Sequence, residues 1–269
     1  MKFPKLSRTS IVLFLSVAGP GIITSAVDND AGGIATYSVA GANFGYSLLW
    51  TLLPIAIVLI IVQEMGARMG VVTGKGLSDL IRENFGLRVT FFLMIALIVT
   101  NAANVVAEFA GIAASSEIFG VSRYTAVPLA AVFVWVIVVK GTYRSVEKAF
   151  LVATAFYATY FISGFLAGPN WAHIAKSTVM PAVQLNASYL FIVIGLVGTT
   201  IAPWMQFYLQ ASVVEKRIRL KHYRYSRWDV VLGSLVTILV AFFIIIACAA
   251  TLFAAKTHIN DAADAAVAL

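Results

Sequence analysis

Charged side chains are scarce in this chain. Of its 269 residues only 12% are Asp, Glu, Lys or Arg, while 61% are hydrophobic. Soluble domains carry about 25% charged residues, so the composition is that of an integral membrane protein. Cysteine is nearly absent. Cys248 stands alone in an apolar run, cannot form an intrachain disulfide, and reads as a small core residue. No CxxC, HExxH or Walker pattern occurs. His173, His222 and His258 are the only histidines; they lie far apart in expected loops, which argues against a histidine metal cluster. No nucleophile–base pair stands out, so neither an enzyme nor a bound cofactor is expected. Acidic residues are outnumbered, 12 against 19 basic ones, leaving a formal net charge of +7.

That positive charge is not spread evenly. Seven apolar segments are expected near 11–41, 46–67, 89–118, 124–140, 146–168, 187–214 and 228–254, most long enough for a hydrocarbon core of about 30 Å. With the N-terminus on the cytoplasmic side, all Lys and Arg except Arg123, Lys176 and Lys256 fall on inner segments. This is the positive-inside bias, and it explains the basic balance without nucleic acid. A cytoplasmic N-terminus and the cell's inner (plasma) membrane are therefore expected. Lys2, Lys5 and Arg8 resemble the start of a secretory signal, but the apolar pattern runs on and lacks a clear cleavage site. The run Lys216–Arg227, with Tyr223, Tyr225 and Trp228, reads as a topogenic loop, with contact to anionic membrane lipids as a second reading.

The stretch Gly19 to Gly33 carries the chemistry. It places Asp28 and Asp30 inside the first apolar segment, where each buried charge costs about 3 kcal/mol. Gly32 and Gly33 make a helix break cheap there, at 28–33. A break frees carbonyls and exposes the negative end of the first half-helix dipole. A carboxylate beside free carbonyls at membrane depth is a cation site of the kind found in transporters with discontinuous helices. The plainer reading is that Asp30 caps the second half-helix by accepting from the amides of Gly32 or Gly33. Asp28, if still helical, points away from Asp30 and towards a watery vestibule, and it is a further candidate for the ion or proton path or for a direct ligand.

The sixth segment repeats the pattern. Gly195, Gly198, Thr199, Thr200, Ile201, Ala202 and Pro203 interrupt it, and Pro203 removes the donor that Thr199 would need. Two broken helices five spans apart point to an ion site between them and to a five-helix repeat. Spans 1–5 form one unit and spans 6–7 part of its inverted mate, within a single transmembrane domain over 1–269. Asp261 to Leu269 looks like the start of a further element. A truncated chain is expected, one that needs missing C-terminal spans to complete the fold and does not transport alone. In the third span Asn101, Asn104 and Glu108 share a helical face. Glu108 and Asn104 either line an ion or proton path or hold helices together; the spacing leaves both open.

Four stretches together resemble the NRAMP family of divalent metal transporters: Gly19–Gly33, Gln63–Glu64 to Lys75, Ala107–Glu108–Phe109, and Gly198–Pro203. The resemblance covers nearly the whole chain. It implies an all-α polytopic protein with the LeuT-like inverted repeat, helices 1 and 6 broken, here reaching about seven spans. It also implies a metal held between the breaks by Asp30, with Gly33, Thr199 and Ala202 around it. Departures from the family pattern are specific. Gly33 stands where the family has asparagine, Ala202 where it has methionine, Trp204 where it has histidine, and Val105 where it has an acidic residue. Losing a thioether disfavours soft transition metals. An oxygen-only, roomier site suits Mg²⁺, which keeps several waters. The pattern resembles the NRAMP-related magnesium transporter branch. Mg²⁺ uptake as a partly hydrated ion, with Mn²⁺ as a further substrate, is the expected function. A proton-coupled Mn²⁺/Fe²⁺ symporter is the alternative, made less expected by the loss of the titratable histidine. A Na⁺-coupled organic-solute transporter would use half-helix N-termini for a carboxylate, which Asp30 would repel. A non-transporting membrane subunit would not need two costly broken helices.

Overall fold

The computed structural model describes residues 21, 24, 27–141, 154–257 and 259. These residues are helical with no strand among them. Five helical stretches are long and apolar enough to cross a bilayer: Ala31–Thr73, Leu77–Ile118, Arg123–Lys140, Ala187–Glu215 and Leu220–Phe253. Most of the expected first half-helix, and the start of the expected fifth span, lie outside the described residues.

The first stretch is two helices, not one. α1 (Ala31–Phe44) ends where Gly45 takes φ +57°, a left-handed angle that suits glycine. A 3₁₀ turn over Gly45–Thr51 then leads into α2 (Leu52–Thr73). Pro54 sits in the first turn of α2, where no amide donor is required. Gly74 closes α2 in the left-handed conformation and donates to the Gly70 carbonyl at 2.9 Å. α3 (Leu77–Ile118) starts before the expected position 89. Its charged first part is set off by Gly86 at φ 79°, ψ 174°, so a surface helix turns into the span there. α4 spans Arg123–Lys140 and α5 spans Ala158–Leu166. The short α6 (Trp171–Val179) was not expected and places His173 in a helix rather than a loop; Asn170 caps it by accepting from the His173 amide. α7 (Ala187–Thr200) and α8 (Pro203–Glu215) are the two halves of the expected sixth span. α9 (Tyr223–Cys248) continues into a π-helical turn over Ala249–Phe253.

α9 is the hub. It is apolar all round, as a helix buried on most sides must be, and it packs on α1, α2 and α5. Tyr37, Leu48, Leu49, Leu59, Tyr189, Leu196, Ile245 and Ile246 are fully buried in this core. Cys248 lies in it too, as expected for a small apolar residue. At the crossing with α9, an added Cβ on Gly41 would lie 2.5 Å from the Ile245 carbonyl oxygen and 2.9 Å from the Cys248 Cβ. A small residue is needed there for the backbones to approach. α3 and α4 instead present exposed apolar residues such as Phe92, Ile98, Val106 and Val132, the face a bilayer would cover.

Part of the basic run folds back on the protein. The Tyr223 hydroxyl donates to Glu64 on α2, and Arg227 lies 3.9 Å from the same carboxylate. Arg68 approaches it to 3.8 Å from one turn along α2. This ties the start of α9 to the end of α2, a use that neither the topogenic nor the lipid reading had foreseen.

Gly41→Val should therefore wedge α1 from α9. Overpacking of this kind costs about 1–3 kcal/mol. The expected outcome is a melting temperature lowered by several degrees in detergent. An unchanged melting temperature would mean that the crossing is not tight.

Candidate metal centre

The first helix break falls at Asn29–Asp30, earlier than the two glycines. Asp28 is the last helical residue before it. Asp30 is extended (φ −71°, ψ −178°) and caps α1: its Oδ1 accepts from the Gly33 amide at 2.7 Å. Gly32 and Gly33 lie inside the first turn of α1, and neither is among the positive-φ glycines. The expectation that this glycine pair makes the break is thus corrected; the cap makes it. Gly33 serves close packing instead. A Cβ there would stand 2.9 Å from the Asp28 carbonyl oxygen and 3.4 Å from Asp30 Oδ1. The extra room expected from losing an asparagine side chain at this position is filled by the chain's own backbone.

α3 completes the surroundings of the break. Asn104 donates to Asp30 Oδ2 at 3.4 Å. Glu108 accepts from the Ala31 amide, at 3.2 Å to Oε1 and 3.5 Å to Oε2. Both carboxylates thus sit at the N-terminus of α1, where the helix dipole favours negative charge. Gly111 brings α3 in close: a Cβ on it would lie 2.7 Å from the Ala31 Cβ. Of the expected polar face, Asn104 and Glu108 meet the break while Asn101 is exposed. Glu108 therefore does make an interhelix hydrogen bond, which leaves a path role compatible with it. Tyr157 adds a contact from before α5, its hydroxyl donating to the Asn29 carbonyl at 3.2 Å.

The second break lies between Thr200 and Pro203. Ile201 (φ −119°, ψ 55°) and Ala202 (φ −71°, ψ 138°) leave the helix, and Pro203 opens α8 at a position suited to it. The two broken helices are joined by a hydrogen bond of 2.8 Å between the Tyr37 hydroxyl and Thr200 Oγ1. Thr36 Cγ2 lies 3.5 Å from where a Cβ on Gly195 would be. Thr199 and Ala202 are half-buried at this break. Asp30, Gly33, Asn104 and Glu108 are thus assembled directly. Thr199 and Ala202 belong to the neighbouring break, linked to α1 through Tyr37 and Thr200.

Asp28 departs from expectation. It is 1% exposed and does not face a watery vestibule. Thr237 of α9 stands beside it, yet neither carboxylate oxygen completes a hydrogen bond. The reason lies in the helix. Two residues on, Asp30 has left it and turned to α3, so the two side chains lie on different sides of the chain.

Local reading also missed a polar seam between α2 and α8. Gln63 Nε2, both amide atoms of Gln206, and Gln210 Oε1 are buried without partners. Gly66 faces Gln206, and Gln210 Nε2 donates to the Lys75 carbonyl at 2.8 Å. Gln206 and Gln210 share a face of α8 at i, i+4, but nothing in the sequence says that this face packs on α2. A cleft of about 590 Å³ lined by Phe44, Tyr46, Asn170, His173 and Phe253, among others, includes none of the expected site residues.

Among the described residues, no group of three or more His, Cys, Asp or Glu is placed to hold a metal ion. A metal at Asp30 would take most of its ligands from backbone oxygens and water. Asp30 Oδ1 is committed to the Gly33 amide; Oδ2 takes the long Asn104 contact, and the Glu108 carboxyl stands beside the same group, so Oδ2 is the less firmly held oxygen.

The family model for natural resistance-associated macrophage protein-like proteins matches residues 21–269. The chain is similar to the divalent metal cation transporter MntH of Klebsiella pneumoniae strain ATCC 700721 / MGH 78578, at 29% identity over 94% of this chain and 62% of that protein. The MntH of Klebsiella pneumoniae strain 342 matches to the same extent. Among solved structures, the manganese transporter of Eremococcus coleocola bound to an aromatic bis-isothiourea compound aligns with a TM-score of 0.76 at 22% identity, over 91% of this chain and 53% of that one. A mutant of the same transporter aligns with a TM-score of 0.78 over 93% and 54%. The chain thus spans 62% of those MntH relatives and about half of those solved chains. At this identity the structures show a shared fold.

The cap can be separated from the charge. Asp30→Ala should destabilise the protein by about 1 kcal/mol through loss of the cap. Asp30→Ser, which can still accept from the Gly33 amide, should restore most of that. Thermal unfolding without metal is the measurement. Equal melting temperatures for the two variants would show that the cap contributes nothing.

Proposed function

The chain belongs to the Nramp family, and from that premise we propose that it moves divalent metal cations inward across the membrane, Mg²⁺ first and Mn²⁺ second. The carrying observation is Asp30. A carboxylate stands at a break in a membrane helix, with one oxygen capping α1, the other in a long 3.4 Å contact with Asn104, and the Glu108 carboxyl beside it. Such a group is costly in a membrane protein unless it meets a cation. The second break lies one hydrogen bond away through Tyr37. Backbone oxygens at Gly33, Thr199 and Ala202 would complement Asp30, and water would fill the remaining positions. That donor set is hard and carries little charge, which suits an ion that keeps part of its hydration shell.

The residues that depart from the family pattern support Mg²⁺. Ala202 offers no sulfur, and soft ligands favour later transition metals over Mg²⁺. Gly33 offers no side chain. Trp204 and Val105 cannot titrate, so Glu108 is the acid left near the break to relay a proton, and coupling to protons is weak in this reading. Asn104 orients Asp30 Oδ2. The protein is an integral membrane protein; the basic residues support a cytoplasmic N-terminus and the inner (plasma) membrane. Residues 1–269 form one transmembrane domain, spans 1–5 as the first repeat and spans 6–7 as part of the second.

In the protein with its full set of spans, Asp30→Ser should abolish divalent uptake into liposomes while the protein still folds. Wild-type rates in that variant would overturn the assignment. Ala202→Met should raise transport of Mn²⁺ relative to Mg²⁺ several-fold, measured by competition uptake. Gly33 is left untouched in this test because any side chain there would strike the Asp28 carbonyl. An unchanged Mn²⁺/Mg²⁺ ratio would remove ligand softness as the basis of selectivity.

A further inference from the structure

The carboxyl groups around the first break outnumber what one divalent ion can neutralise. Asp28, Asp30 and Glu108 all lie at it, and no Lys or Arg among the described residues acts on any of the three. A divalent ion at Asp30 balances two of three charges. Asp30 and Glu108 share the α3 side, through Asn104 and the Ala31 amide. Asp28 lies elsewhere, beside Thr237 of α9, and is 1% exposed with neither oxygen hydrogen-bonded. It is also the last helical residue of the first half-helix, where the negative end of the dipole adds to its charge. Burying an ion without a partner costs several kcal/mol. Among the described residues no basic side chain stands at this carboxyl, and its close side-chain neighbour is the neutral Thr237 hydroxyl.

We propose that Asp28 anchors a second cation site, separate from Asp30, which takes a monovalent metal ion between the end of the first half-helix and α9. One carboxylate with neutral oxygens around it, the Thr237 hydroxyl and main-chain carbonyls, matches a single positive charge. Divalent sites of all-oxygen type draw on more ligand charge or on retained water, and this position is closed to solvent. The count of charges rests on the reading of Asp30 as a divalent site. The buried carboxylate, with only a neutral hydroxyl beside it, does not.

The test uses the purified protein in detergent without divalent ions, with NaCl or KCl compared against choline chloride at equal ionic strength. A bound ion stabilises the folded state in proportion to its occupancy. The wild type should melt several degrees higher in NaCl or KCl than in choline chloride. Asp28→Asn should lose that shift and keep Mg²⁺ binding in calorimetry. Asp30→Ser should do the reverse. Should Asp28→Asn fail to fold, Thr237→Ala should weaken half-saturation by the alkali ion about fivefold, as loss of one oxygen contact worth about 1 kcal/mol implies. Equal melting in alkali and choline chloride would overturn the proposal, and would fit Asp28 carrying a proton instead. So would an alkali shift that survives Asp28→Asn, or half-saturation unchanged by Thr237→Ala. An Asp28-dependent alkali shift in a protein that never binds Mg²⁺ would sink the divalent reading and leave this one standing.

Discussion

A carboxylate inside a low-dielectric interior must find positive charge or donors, and the structure around Asp30 is arranged by that need. The cheapest donors in a membrane protein are helix-terminal amides, because a helix start leaves several without partners. Asp30 takes the Gly33 amide and Glu108 takes the Ala31 amide, so two acidic groups share one helix N-terminus. The same arrangement gives Asp30 two unlike oxygens. One is structural. The other is less firmly held, and in the proposed reading it meets the cation. Capping and cation binding are therefore compatible uses of the same side chain, divided between its atoms.

Holding the break in place takes elements far along the chain. Tyr157 satisfies the Asn29 carbonyl across 128 residues of sequence, and Tyr37 joins the two breaks across 163. Buried donors of this kind matter at membrane depth, where water is not there to take a freed carbonyl. α9 supplies the wall behind α1, and its close approach at Gly41 fixes where the α1 backbone lies. At the other end of α9, Asp229 accepts from the Gly21 amide at 2.7 Å, so the first half-helix is tied to the same helix. Both halves of the broken helix thus take their positions from α9.

The changes at the family's ligand positions read differently in three dimensions. Ala202 sits at an irregular, half-buried break, so removing a thioether there changes the ligand set with little cost to packing. Gly33 is another case. Its side-chain space is occupied by the Asp28 carbonyl and the Tyr37 ring, so glycine is demanded by packing as well as by ligand choice. In the proposed reading, selectivity and backbone geometry are coupled at that residue.

The sequence by itself determined the membrane class, the helical architecture and the places where two helices break. Each of these follows from local composition: long apolar runs, charges that apolar runs do not tolerate, and a proline within a span. It also singled out Asp30, Asn104 and Glu108, because polar groups in such runs are few and fall on one side. It misassigned the cause of the first break, since glycine freedom and an aspartate cap predict similar breaks a few residues apart. It misplaced Asp28, because a helical wheel tells the direction of a side chain but not what stands there. Only the tertiary structure decided that Asp28 is sealed against α9, that Tyr37 and Tyr157 support the breaks, and that Gln206 of α8 faces Gly66 of α2. Those facts depend on contacts between residues tens to hundreds apart in sequence, and no local pattern encodes the direction in which a distant helix packs.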